Sequence, residues 1–411
     1  MFRHLLQAAM VSGAVLLPVL GGSVAQAADE TRQAWRLFVT DQNEGGVTVV
    51  DLENKAIIDR FATTGYVTHL VPSESGKSLA AVQMDHDAVH MIDSGIQISS
   101  HGDHSDIEIN DAALLPVTIT GKRPVHAVPD HGAFYVFFDG EGEARIFNED
   151  SLIGGNGDFE PVKAAAPHHG VVVPMGNYHL ISKPNLEVET KPGSLPPRLG
   201  LKVLDQRSKQ VGPVHTCTGL HGEASSAGVT AFGCEEGVII ALPGGEDAPT
   251  IKMLAYGADM PSGRVGTLVG GKAMQFFLGN YGADKLVFID WSEENPFQLI
   301  DLPVRYVHFI LDPVRVTTAY VFTEDGYLHA VDLLSGKITR SEQITEPYSK
   351  DGHWRDPRPR LAIAGDIITI TDPREQLVRL VDAETFADKG GIEIGGLPFN
   401  IVAIGGSGLS H

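Results

Sequence analysis

The sequence predicts an all-β fold, a single β-propeller of about eight blades. Three observations carry this. First, pairs of strands rich in β-branched and aromatic residues recur roughly every 40 to 57 residues along the chain. Second, polar turns with Gly and Asp separate the paired strands, and no helical period of comparable length competes with them. Third, the two ends of the chain each carry half of a repeat, so that joining them completes one blade.

The repeat is clearest at Leu37–Asp51, Leu79–Asp93, Ala319–Asp332 and Ile367–Asp382, with weaker copies at Phe134–Phe147, Val229–Ala241 and Met274–Asp290. A short additional strand precedes each full repeat. These strands begin near His69, His126, His169, His221, Arg264, His308, Arg360 and Phe399. The last has no repeat after it, and Leu37–Asp51 has no such strand before it. Pairing of the terminal strands therefore closes the ring. Counting one weak copy as an insertion gives seven blades instead of eight.

The first 27 residues read as a secretory signal peptide: Arg3, an apolar stretch from Leu5 to Leu20 interrupted by Pro18, and the small-x-small site Ala25-Gln26-Ala27. Cleavage after Ala27 leaves residues 28–411 as the propeller, outside the cytoplasm, with a bacterial periplasm as the fitting compartment. No later segment is apolar enough for membrane insertion. The net charge of −21 repels nucleic acid and anionic membranes and attracts cations, although it also serves plain solubility. Cys217 and Cys234, the two cysteines, are expected to form a disulfide in an oxidising compartment, with a thiolate zinc pair as the alternative. No Cys-x-x-Cys-His occurs, which excludes covalent haem.

In a propeller the first strand of each blade lines the central channel. Four consecutive blades begin this strand with histidine, at His69, His126, His169 and His221. Neutral imidazoles converging from adjacent strands make a zinc site without a local motif. A single histidine at a strand start is usually a turn or hydrogen-bonding residue; four at one repeat position favour metal. His168 is the alternative to His169, while His90 and His329 read as structural. The loop His101-Gly102-Asp103-His104-Ser105-Asp106 places two imidazoles and two carboxylates within six residues, either a loose zinc site or a solvated acidic loop. Metalloprotease, nucleophile-elbow and dinucleotide motifs are absent. Ser75-Gly76-Lys77-Ser78 lacks the earlier glycine of a phosphate loop, since Val71 stands there, and reads as a hairpin turn. Nothing assigns a catalytic base or nucleophile, so the chain is not expected to be an enzyme.

The segments His215–Ala224, Ala231–Val238, Pro167–Val171 and His353–Pro359 resemble the AztD-type periplasmic zinc metallochaperones, and the resemblance covers most of the mature chain. It implies a propeller that carries zinc and delivers it to the solute-binding protein of a zinc ABC transporter, with a mobile histidine-rich segment that the His101 loop would supply. Carried over, the ligands are His126, His169 and His221, with His69 or Asp356 as the fourth. Glu223 reads first as a plain solvent-facing glutamate, with orientation of an imidazole as the alternative. A propeller hydrolase or dehydrogenase subunit and a metal-free scaffold are the competing readings.

Overall fold

Period-2 alternation with both faces apolar is what a strand sandwiched between two neighbouring sheets requires. Leu37, Phe38 and Val39 illustrate it. Leu37 and Val39 pack with Ala362 and Leu380 of the preceding blade, whereas Phe38 packs with Leu70, Leu79 and Ile92 of the following one. Each interblade layer repeats this logic. Phe137, Ala144 and Val162 from one sheet meet Val172, Ile181 and Leu204 from the next.

A computed structural model describes residues 30–102 and 104–410. The expected signal peptide and Asp103 lie outside the described residues. Eight sheets form the ring, seven of them four-stranded and antiparallel. Their innermost strands are His69–Pro72, Pro124–Asp130, Val172–Met175, Glu223–Ser226, Leu268–Val269, Tyr306–Leu311 and Leu361–Ala364. We number these blades one to seven. The eighth blade takes its inner strand, Pro398–Ser410, from the C-terminus and its other three, Glu30–Asp41, Val47–Asp51 and Ala56–Phe61, from the N-terminus. The closing ladder runs from Glu30 opposite Ser410 to Asp41 opposite Pro398, with one register shift. The expected terminal closure and eight blades are both present, and the seven-blade alternative is excluded.

Two details differ from the sequence reading. In blade three the second and third strands, Tyr178–Pro184 and Arg198–Asp205, form a repeat copy that the sequence reading missed. Residues 185–197, rich in Pro and charge, separate them and hide the pairing. His169 and His221 precede their inner strands rather than opening them, and stand on the loops that enter blades three and four.

The His101 segment has a further consequence. It is the tip of a hairpin, Ile96–Ser100 with Ser105–Ile109, inserted between the third and outer strands of blade one. The hairpin adds to the end of the closing strand, with Asp106 opposite Leu409. Because successive strands of a blade alternate in direction, the end of the third strand lies opposite the start of the inner one. The hairpin is therefore at the far end of the blade from His69. The six-residue second strand Ser78–Gln83 alone spans about 20 Å at ~3.3 Å per residue. Direct ligand exchange between this loop and the channel histidines of one molecule does not fit this placement.

Candidate metal centre

Three of the expected histidines come together where the inner strands begin. His126 lies on the inner strand of blade two, and its Nε2 is 3.4 Å from Nε2 of His169. The ring centroids of His169 and His221 are 5.8 Å apart. Each of the three has its other nitrogen held by an acceptor. His126 Nδ1 faces Glu223 Oε1 at 3.2 Å, His169 Nδ1 faces Asp139 Oδ2 at 2.7 Å, and His221 Nδ1 faces the carbonyl of Gly266 at 2.7 Å. An acceptor opposite Nδ1 fixes the proton there and leaves the Nε2 lone pair for a metal. The separation of the first two Nε2 atoms matches the edge of a tetrahedron with Zn–N bonds of about 2.0–2.1 Å, which is ~3.4 Å.

The supports explain why the rings point this way. Asp139 directly follows the second strand of blade two, Ala133–Phe138, is 1% exposed, and also accepts the Gly170 N–H at 3.2 Å, so one carboxylate orients both the imidazole and the loop carrying it. Arg198 holds the His169 carbonyl at 3.0 Å. The His221 loop is pinned by the Cys217–Cys234 disulfide, as expected, and by backbone bonds from His221 N to Gly233 O and from Gly233 N to Gly222 O. Closing those 17 residues stabilises by roughly 3 kcal/mol on the chain-entropy account. Gly222, at φ +78°, passes so close to Gly266 that a Cβ would lie 2.9 Å from its carbonyl oxygen. That approach brings His221 Nδ1 within reach of the same oxygen.

The three imidazoles do not form a closed shell. Among the described residues, the group of three whose ligand atoms all lie within 4.8 Å is Glu74, Asp130 and His131, which sits on turns at the far end. There the His131 ring already bonds Asp130 at 2.8 Å and Lys272 approaches Glu74 at 3.4 Å, so its charges are compensated internally.

The remaining expected residues divide. His69 opens the inner strand of blade one beside His126, His169 and Glu223, whose charges act on it. His168 is buried with both nitrogens engaged, by the Ala166 carbonyl at 2.9 Å and Ser182 Oγ at 2.8 Å, and its ring meets Phe137 edge-on. It is not brought to the channel cluster. Asp356 is exposed on the loop between blades six and seven, where it accepts the His353 N–H at 2.7 Å. His101 and His104 stack at 5.4 Å and face the two oxygens of Asp106, at 2.9 and 3.4 Å. His329 bonds Thr323 and Ser341 through its two nitrogens, a structural role. Asp139 and the Gly266 carbonyl were not singled out in the sequence. Asp139 stands at the end of a repeat strand, as Asp41 and Asp372 do, and that recurrence was its one signal.

Desolvation by the surrounding strands and loops lowers the pKa of His169 and, although its ring is open to the channel, of His221. Burial also opposes charge on His126, but the facing Glu223 outweighs it and raises the pKa. A metal therefore competes with protons more strongly at His126 than at the other two. The crowding of the channel mouth, with His126 adding repulsion, lowers His69 from 6.5 to about 4, although its side chain stays exposed to solvent in the channel. The unfolded chain then takes up a proton below pH 6.5 that folded His69 refuses until about pH 4, so its contribution to stability is present above 6.5 and lost as pH falls through this window. Thermal melts of metal-free protein should show this loss, and a His69→Gln variant should lose less; superimposable pH curves would remove His69 from the account.

Comparison with known proteins places the chain in a family. A curated relative, the zinc chaperone AztD of Citrobacter koseri, is 42% identical over 412 residues, covering 100% of this chain and 96% of the relative. The crystal structure of Citrobacter koseri AztD superposes with a TM-score of 0.88 at 43% identity, covering 92% of this chain and 100% of that one. The apo structure from the same organism gives 0.85 at 42% identity, covering 92% and 99%. The dihydro-heme d1 dehydrogenase NirN, at 12% identity and a TM-score of 0.57, covering 90% of this chain and 74% of that one, shares the fold alone. No family model matches the chain. With this identity across its whole length, the chain belongs to the AztD family of zinc chaperones, proteins that carry a metal rather than catalyse a reaction.

Proposed function

We propose that this protein carries zinc on His126, His169 and His221, with His69 supplying a fourth nitrogen, and hands it to the solute-binding protein of a zinc ABC transporter in the periplasm, after removal of residues 1–27. The observation that carries the reading is the shared orientation of three imidazoles: each Nδ1 on an acceptor, with two Nε2 atoms at a tetrahedral edge. His221 stands apart from the other two and is the most solvent-exposed of the three. It is the ligand that closes on the ion and leaves first, which lets an incoming protein replace ligands one at a time. Asp356 and His168 play no direct part in this arrangement. His101 and His104, with Asp106, are a separate, looser zinc-binding element at the far end of the propeller. Among the described residues no helix is long and apolar enough to cross a membrane.

The test is to mix zinc-loaded protein with the metal-free solute-binding protein in the presence of a chelator that captures free zinc. Transfer should persist and should outpace spontaneous zinc loss. Transfer limited to the rate of release into water would contradict direct handover. A His101→Ser/His104→Ser variant should keep its channel affinity, because the two places lie at opposite ends of the blade.

A further inference from the structure

The wall of the channel contributed by blades six and seven has the opposite chemistry to the histidine side. Lys350 and Arg360 both direct a donor at one atom, the Val307 carbonyl oxygen, at 3.2 and 3.4 Å. Neither has an ion-pair partner among the described residues. The nearby carboxylates are already engaged: Glu324 accepts from Arg305 Nε at 3.0 Å and Nη2 at 2.6 Å, and Asp351 accepts from Arg305 Nη1 at 2.9 Å. Arg358 beside them is held by the carbonyls of Ser349 and His353. His308 completes the wall. Its Nδ1 accepts the Leu361 N–H at 3.0 Å, so in the neutral ring the proton is on Nε2. This is the reverse tautomer of the three candidate ligands, and it makes His308 a donor.

Two enclosed cations share one carbonyl in a chain of net charge −21, and besides it they meet only ring faces, Lys350 over Tyr306 at 4.6 Å and Arg360 over Phe399 at 4.7 Å, with no carboxylate paired to either among the described residues. Such a site is costly to leave without a counter-charge. Burial, with Arg360 and Arg358 adding repulsion, pushes the Lys350 amine down to about 8, and burial likewise lowers Arg360 to about 10. The Tyr306 ring under Lys350 separates this site from a 570 Å³ cavity, which Tyr306 lines with His221, Arg264 and Asn280 and which the two cations themselves do not line.

We propose that Lys350, Arg360 and His308 form a binding site for a free small oxyanion, a carboxylate or sulfate-like anion, in the same channel as the histidines. Arg360 supplies the planar fork that matches two oxygens, and Lys350 supplies a point charge. On the zinc reading given above, the anion also offsets repulsion between this wall and the ion, so anion and zinc bind with positive coupling, each raising affinity for the other. The site itself does not depend on that reading.

The experiment uses mature protein stripped of metal, titrated calorimetrically with sulfate and with acetate at constant ionic strength. Saturable one-to-one binding is expected, at least tenfold weaker in Lys350→Gln and Arg360→Gln, and retained in Lys350→Arg. Equal binding in wild type and both Gln variants would overturn the site. Should the Gln variants not fold, the wild type decides. A rise in melting temperature that saturates with sulfate supports the site, whereas a strictly linear rise, the signature of general exclusion from the surface, overturns it.

Discussion

Replacing His126 and His221 together by alanine should abolish tight zinc binding while leaving the propeller folded. Neither side chain is part of an interblade apolar layer, so the expected cost in stability is small. The expected cost in affinity is large. Loss of an outer carboxylate that merely orients a ligand typically weakens a site about 10- to 100-fold. Removing two direct ligands must exceed that range, so a drop of more than about 100-fold is expected in competition titrations. Asp139→Asn and Glu223→Gln should fall inside the 10- to 100-fold range, since each leaves the imidazole present but poorly aimed. Unchanged zinc content in the double variant would move the site elsewhere.

Deleting residues from Phe399 onward should prevent the ring from closing. The closing strand buries Phe399, Ile401 and Ile404 to 3%, 8% and 6% exposure. At about 1.5–3 kcal/mol for each buried apolar side chain, these three contribute roughly 5–9 kcal/mol before the ladder to the first strand is counted. That is comparable with the whole stability of a typical protein, about 5–15 kcal/mol. The deletion also exposes both edges of the opened ring, a template for aggregation. The expected result is a chain without a cooperative melting transition. Shortening the loop over residues 185–197, where Leu186 and Val188 are exposed, should by contrast leave the melt nearly unchanged. A wild-type melt after the C-terminal deletion would rule out closure by paired termini.

The fold was legible because its signals are local. Strands buried on both faces leave runs such as Leu79–Val82 and Ala319–Phe322, and the unpaired half-repeats at the two ends imply closure. Blade three escaped because a long loop divides its hairpin, and no short-range pattern joins Pro184 to Arg198. The channel histidines were legible through their shared repeat position, a long-range regularity visible only once the blades were counted. Their partners were less so. Asp139 orients a residue 30 positions away, and the Gly266 carbonyl, a backbone atom, has no sequence signature at all. The position of the His101 loop was hidden for a related reason. Its composition suits zinc, but only strand direction reveals that it stands at the opposite end from the channel cluster.

The central claim is that zinc sits on channel imidazoles. X-ray absorption at the zinc edge, on mature protein loaded with one equivalent, tests this most directly. The account predicts a shell of three or four nitrogen ligands at about 2.0–2.1 Å with the outer-shell scattering of imidazole rings, lost when His126, His169 and His221 are replaced. A shell of sulfur at about 2.3 Å, or an imidazole signal that survives those replacements, would contradict it.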